Sequence, residues 1–96
     1  MNEILKPLRE EIDQIDQELV KLLVARENVV HRVAEIKEEH DIPVVLPERI
    51  EEVINQAVER AVAQGGTDKY VREIYKSIIQ FSCSLEVDLM SDKNNG

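Results

Sequence analysis

One arginine stands where an apolar pattern calls for a leucine. Apolar residues recur at Leu8, Ile12, Ile15, Leu19, Leu22, Val29, Val33 and Ile36, with gaps of 4, 3, 4, 3, 7, 4 and 3. That is a helical stripe with one missing step, and the missing step is Arg26. A buried, unpaired guanidinium is costly, so Arg26 needs a partner or a watery site, and an anionic ligand is one such partner. Lys37 lies eleven residues on. Eleven helical steps of about 100° return to within about 20° of the same face, about 16 Å further along. Arg9 lies seventeen residues before Arg26, about 25 Å along the axis. It cannot reach the same small ligand within its own chain, but in an antiparallel dimer it approaches Arg26 and Lys37 of the other chain. Arg49 opens a second helix and can fold back over the Lys37 end. Further on, Tyr75, Ile79, Ser82 and Glu86 form a row at steps of 4, 3 and 4. Ser82 and Glu86 sit one turn apart on it, and a partly buried Glu86 can donate a hydrogen bond when protonated. Taken singly, each cation reads as solvated or paired with one of the many glutamates, and Glu86 as a surface acid.

These groups need elements to hold them. From Leu8 to Glu39 there is no Pro and no Gly, so nothing forces a break in a helix running from Leu5 to about Glu39. At ~1.5 Å per residue it would be ~50 Å long. A compact chain of this size is only roughly 32 Å across. The helix must protrude and leave its stripe in water, which predicts an oligomer, most simply a two-fold dimer with long helices side by side.

The helix is expected to start near Asn2 or Pro7, since Pro suits a first turn, and to fray at His40-Asp41. Asp41 to Leu46 contains Pro43 and β-branched residues and reads as an extended connector. Pro47-Glu48-Arg49 opens the second helix, with Ile50, Val53, Ile54, Ala57, Val58 and Ala61 at helical spacing. Gly65-Gly66 ends it, and Thr67 or Asp68 can cap a third. That helix carries Val71, Ile74, Ile78, Phe81, Leu85 and Leu89. The prediction is all-α: one long, one short and one medium helix. Residues 1–90 form the domain and 91–96 a polar, disordered tail.

Composition narrows the function. Ninety-six residues make one domain, marginal as a lone core. With 12 basic and 20 acidic side chains, the formal charge of −8 argues against nucleic acid but not against a small anion held by a few converging cations. Aromatic content is 3%, so aliphatic helix packing carries the fold. Cys83 is the single cysteine, expected to be a small buried residue in a reducing, cytoplasmic setting. No signal peptide or membrane span is expected. His31 and His40 lack metal-ligand spacing, and no nucleophile motif or Gly-rich phosphate loop appears, so neither metal nor cofactor is expected.

Leu8-Arg9-Glu10, Ile15-Asp16, Leu22-Leu23-Val24-Ala25-Arg26, Ile36-Lys37, the Pro-containing connector, Pro47-Glu48-Arg49, and Ile78-Ile79 with Ser82 and Glu86 occur in one order. In order and spacing this set resembles the all-helical class of chorismate mutase over about residues 5–90. The resemblance implies an intertwined homodimer of three-helix chains with two active sites, each built from both chains. It implies that Arg26, with Arg9 of the other chain, binds the two carboxylates of a chorismate-like substrate. Lys37 would bond the ether oxygen and a carboxylate, Arg49 would support the site, Ser82 would contact the ring side, and Glu86 would face the ether oxygen. Catalysis would fall to Lys37, Glu86 and Arg26.

The implied reaction is a [3,3] rearrangement of chorismate to prephenate, by conformer selection and charge stabilisation at the ether oxygen. The pattern departs from the family in one respect. Ile50 stands where typical mutases have an acid that contacts the ring hydroxyl, and Leu46 where another acid is common. An apolar residue at Ile50 resembles the related isochorismate-pyruvate lyases, whereas Glu86 argues against that branch. The lyase, which would give salicylate plus pyruvate, and a 4-amino-4-deoxychorismate mutase are therefore the alternatives. A non-catalytic helical dimerisation module explains the stripe but not the ordered cations.

Overall fold

The computed structural model describes the backbone of residues 2–95 and the side chains of residues 3–91. Three helices follow one another, α1 (Asn2–Glu39), α2 (Pro47–Ala63) and α3 (Asp68–Asn95), with no strand among the described residues. Pro7 lies early in α1, where its missing N–H and its ring remove little from the helix ladder. α1 ends by a turn in which the His40 N–H donates to the Ile36 carbonyl (3.0 Å) and the Ile42 N–H to the Lys37 carbonyl (2.8 Å). Asp41 takes the left-handed position of that turn, with φ 53°. α2 ends the same way, with Gly65 at φ 84° and the Gly66 N–H donating to the Ala61 carbonyl (2.7 Å). Pro47 opens α2, with an acid in its first turn. The Thr67 carbonyl accepts the Val71 N–H at the start of α3. α3 runs without a break from Asp68 to Asn95. Gly96 lies outside the described residues.

α3 packs against both other helices, while α1 and α2 do not pack on each other. The buried apolar residues are Ala34 on α1, Ala57 and Val58 on α2, and Ile79 on α3. That is a thin core. The chain is a slab with extents of 54 × 29 × 16 Å and a radius of gyration of 17.1 Å, against about 12.5 Å for a compact globule of this length. The long first helix sets the largest dimension, as its length predicts.

α1 presents two different faces. Its apolar stripe, including Leu8, Ile12, Ile15, Leu19, Leu22, Val29, Val33 and Ile36, is exposed. Another row meets α3: Arg26, Val30 and Lys37 are half-buried and Ala34 is 3% exposed. At about 100° per residue this row is centred roughly 55° round the helix from the stripe, so the two overlap at their edges. Arg26 lies in the overlap, about 20° from the centre of the stripe, which lets it belong to the stripe and still meet α3. Phe81, expected in the apolar row of α3, is 75% exposed, and Ile74 is exposed as well. Cys83 is half-buried rather than buried.

Candidate active site

Among the polar contacts between α1 and α3 are two whose residues the sequence singles out separately. Lower on the bundle, the Arg26 Nη1 donates to the Ser82 Oγ. The Ser82 hydroxyl donates its own proton to the Ile78 carbonyl, 2.9 Å away. This is the back-bond open to a serine inside a helix, and it leaves the Oγ lone pairs to face the guanidinium. A turn higher, the Lys37 Nζ lies 2.9 Å from the Glu86 Oε1 and donates to the Val44 carbonyl at 2.8 Å. Ser82 and Glu86 are four residues apart on α3, one turn. Arg26 and Lys37 are eleven apart on α1, and their long side chains span the difference. One helix pair thus gathers two cations, a hydroxyl and a carboxyl into one seam.

Glu86 is the buried polar residue of the described set, at 5% exposure. Its Oε1 is enclosed and has no hydrogen-bond donor. The 2.9 Å approach of Lys37 is thus an ion contact without hydrogen-bond alignment. A buried carboxylate without a neighbouring cation would be strongly destabilising, so Lys37 supplies what Glu86 needs to be there at all.

Arg49 is not brought to this seam. Its side chain is 61% exposed and pairs with Glu52, three residues on, along the outer face of α2. Arg9 stays on the exposed N-terminal half of α1, about 25 Å from Arg26 along the axis. Leu46 shares with Lys37 an open groove of about 530 Å³ along the Val29–Val33–Ile36 face of α1. Beside Arg26 and Ser82 is a cleft of about 420 Å³ walled by Leu23, Val30, Ile78 and Phe81. Ile50 lines a further apolar cleft of about 520 Å³ with Val44, Ile79 and Cys83 between α2 and α3. The acids near the start of α2, Glu48, Glu51 and Glu52, are exposed. The wall that α2 and the connector offer is therefore apolar.

The Val44 carbonyl was missed in the sequence, because a main-chain acceptor leaves no trace in residue type. The Lys37–Glu86 pair was missed as a pair, because nothing in the spacing of two separate helices fixes which turn meets which. Among the described residues no group of His, Cys, Asp and Glu is arranged to hold a metal, and no helix is long and apolar enough to cross a membrane.

The seam can hold an anion between Arg26 and Lys37 and offer hydrogen-bond partners to a neutral oxygen. Proteins of similar sequence carry the same chemistry in their names. The chain is 37% identical over 87 residues to a bifunctional chorismate mutase/prephenate dehydratase of Aquifex aeolicus, covering 88% of this chain and 24% of that protein. It is 29% identical over 96 residues to a chorismate mutase of Methanocaldococcus jannaschii, covering 99% of this chain and 96% of the other. It is 32% identical over 82 residues to a 4-amino-4-deoxychorismate mutase of Streptomyces pristinaespiralis, covering 85% and 64%. The chain thus spans about a quarter of the length of the bifunctional relative. No solved structure matches it. The sequence profile of chorismate mutase type II matches residues 8–87, which include Arg9, Arg26, Lys37, Arg49, Ser82 and Glu86, and the chain belongs to that family.

Proposed function

We propose that the chain is a chorismate mutase that converts chorismate to prephenate, working as a homodimer. The observation that carries this reading is the seam itself. Arg26 and Lys37 on α1 face Ser82 and Glu86 on α3, in a chain of the chorismate mutase type II family.

The reaction is intramolecular. The carbon–oxygen bond of the enolpyruvyl ether breaks as a carbon–carbon bond forms between side chain and ring, so no nucleophile, metal or external proton is consumed. The protein has to hold the compact conformer in which the two ends meet and to stabilise negative charge growing on the ether oxygen. Arg26 holds one substrate carboxylate, with Arg9 of a second copy on the other. Lys37 donates to the ether oxygen. Glu86 stands beside Lys37 and faces the ether oxygen. Ser82 touches the ring side, and Arg49 supports the site after turning in from its surface pair with Glu52.

The second copy is supported by the exposed stripe. Leu8, Ile12, Ile15, Leu19 and Leu22 lie along one face of α1 with nothing on them. An apolar row of that length on a 38-residue helix is the kind of patch that marks an interface. Two α1 helices laid antiparallel would cover it and bring each Arg9 toward the other chain's Arg26.

A second reading has its own support. Two relatives are named 4-amino-4-deoxychorismate mutase, at 32% and 30% identity, and the Leu46 and Ile50 positions offer no acid to a ring hydroxyl. The test is a product assay with chorismate, isochorismate and 4-amino-4-deoxychorismate supplied separately. Prephenate from chorismate supports the mutase. Preferential turnover of the amino analogue moves the assignment to the second reading. Salicylate and pyruvate from isochorismate would refute both, and no turnover at all would leave a non-catalytic relative.

A further inference from the structure

Lys37 is tied at both ends to the same short piece of chain. Its main-chain carbonyl accepts the Ile42 N–H at 2.8 Å, and its ammonium donates to the Val44 carbonyl at 2.8 Å. The connector leaves α1, reverses through Asp41 at φ 53°, and returns to the side chain of a residue in the last turn of the helix it has just left. Between the two attachment points stand Ile42 and Pro43. Proline fixes its own φ and confines the residue before it to extended conformations. The Val44 carbonyl is therefore presented to Lys37 by a stretch with few freedoms.

This matters because a lysine ammonium sits on a flexible four-carbon stem and is otherwise poorly aimed. It has three N–H bonds. One is committed to the Val44 carbonyl, and the Glu86 Oε1 at 2.9 Å limits where the other two can swing. Holding one N–H on a fixed carbonyl fixes a cone for the rest, and a bound ether oxygen can lie on that cone. What ties this stretch to the site is the Lys37–Val44 hydrogen bond.

We propose that the connector is a positioning strap for the Lys37 ammonium, with Pro43 as the residue that stiffens it. This rests on the reading of Lys37 as the donor to the ether oxygen. The role differs from simple support of the fold. A loosened strap would misaim one donor while leaving the helices packed, and small misplacements of a reacting group lower rates steeply.

The test uses the full chain, a Pro43→Gly variant and a Gly65→Ala variant. Gly65 sits at φ 84° in the far turn, so Gly65→Ala lowers stability without touching the site. Two readouts are taken. The first is the 15N signal of the Lys37 ammonium, assigned by its loss in Lys37→Met, and visible only while a fixed hydrogen bond slows its proton exchange. The second is steady-state kinetics on chorismate, well below the melting temperature of each variant. The expected result is a Lys37 signal present in the wild type and in Gly65→Ala but lost in Pro43→Gly. With it, kcat should fall about tenfold in Pro43→Gly, by more than KM rises, and stay within about twofold in Gly65→Ala. A Lys37 signal that persists in Pro43→Gly overturns the strap. So does a lost signal with kcat unchanged in an active enzyme. A wild type that shows the ammonium signal but turns over neither chorismate nor its analogues refutes the functional reading instead, and the positioning role falls with it.

Discussion

Arg26 and Glu86 are the residues whose chemistry disagrees most with where they sit, and each disagreement makes a prediction. Arg26 lies half-buried against Leu23, Val30, Ile78 and Phe81. Arg26→Leu should leave the melting temperature unchanged or raise it, by no more than about 1 kcal/mol equivalent, because an apolar cleft gains an apolar side chain. Activity should fall at least about a hundredfold, as when one charge-stabilising donor is removed from an active site; thermal melts and kinetics on one preparation check both. Glu86 is enclosed against Lys37. An amide of the same shape keeps a donor at this position without the charge, so Glu86→Gln should hold kcat within about tenfold of the wild type, whereas Glu86→Ala should lower it by about a hundredfold; equal losses in the two variants would refute the role. Both residues could be found in the sequence because each breaks a periodic row. The Val44 carbonyl could not. The surface pairing of Arg49 with Glu52 was equally hidden, since a first-turn arginine can point inward or outward from the same backbone.

At the scale of the elements, what could be read from the chain was where helices stop. Pro47 and Gly65-Gly66 mark the limits of α2 through backbone rules that need no tertiary context. Gly65 holds a left-handed position that other residues enter at a penalty. Gly65→Ala should lower stability by about 1 kcal/mol, a fall of about 4–8 °C in a domain of this size, measurable by thermal melting. Gly66→Ala is crowded for a different reason: its Cβ would stand 3.0 Å from the Ala61 carbonyl oxygen. Hidden from the sequence was which flank of the α1 stripe meets α3. Periodicity shows that an apolar stripe exists, not what covers it. The row through Arg26, Val30, Ala34 and Lys37 is too short and too mixed to register as a stripe, yet it is the row that meets α3.

For the whole molecule, the slab of 54 × 29 × 16 Å matches the protrusion that helix length implied. The dimer proposed to cover it can be measured directly. Sedimentation should give twice the 11.0 kDa chain mass, and Leu19→Lys with Leu22→Lys should shift it to monomer and abolish activity together. A sharper test uses two variants that are each inactive. If Arg9 serves the other chain's Arg26, mixed Arg9→Ala and Arg26→Ala chains should form hybrid dimers with one intact site. With random assortment of a two-fold dimer, about a quarter of wild-type activity should return on mixing. No recovery after verified exchange of subunits would place Arg9 outside the site. A last consequence lies in α1 itself, which carries the stripe and the site cations on a single unbroken rod. Such a rod acts as a ruler with a fixed phase. One residue inserted between Arg26 and Lys37 would turn everything beyond it by about 100°, taking Lys37 away from Glu86 and Val33 away from the stripe. The same insertion at Gly65-Gly66 falls in a turn between helices and is absorbed. The protein should therefore tolerate many exchanges of side chain along α1 and almost no change in its count.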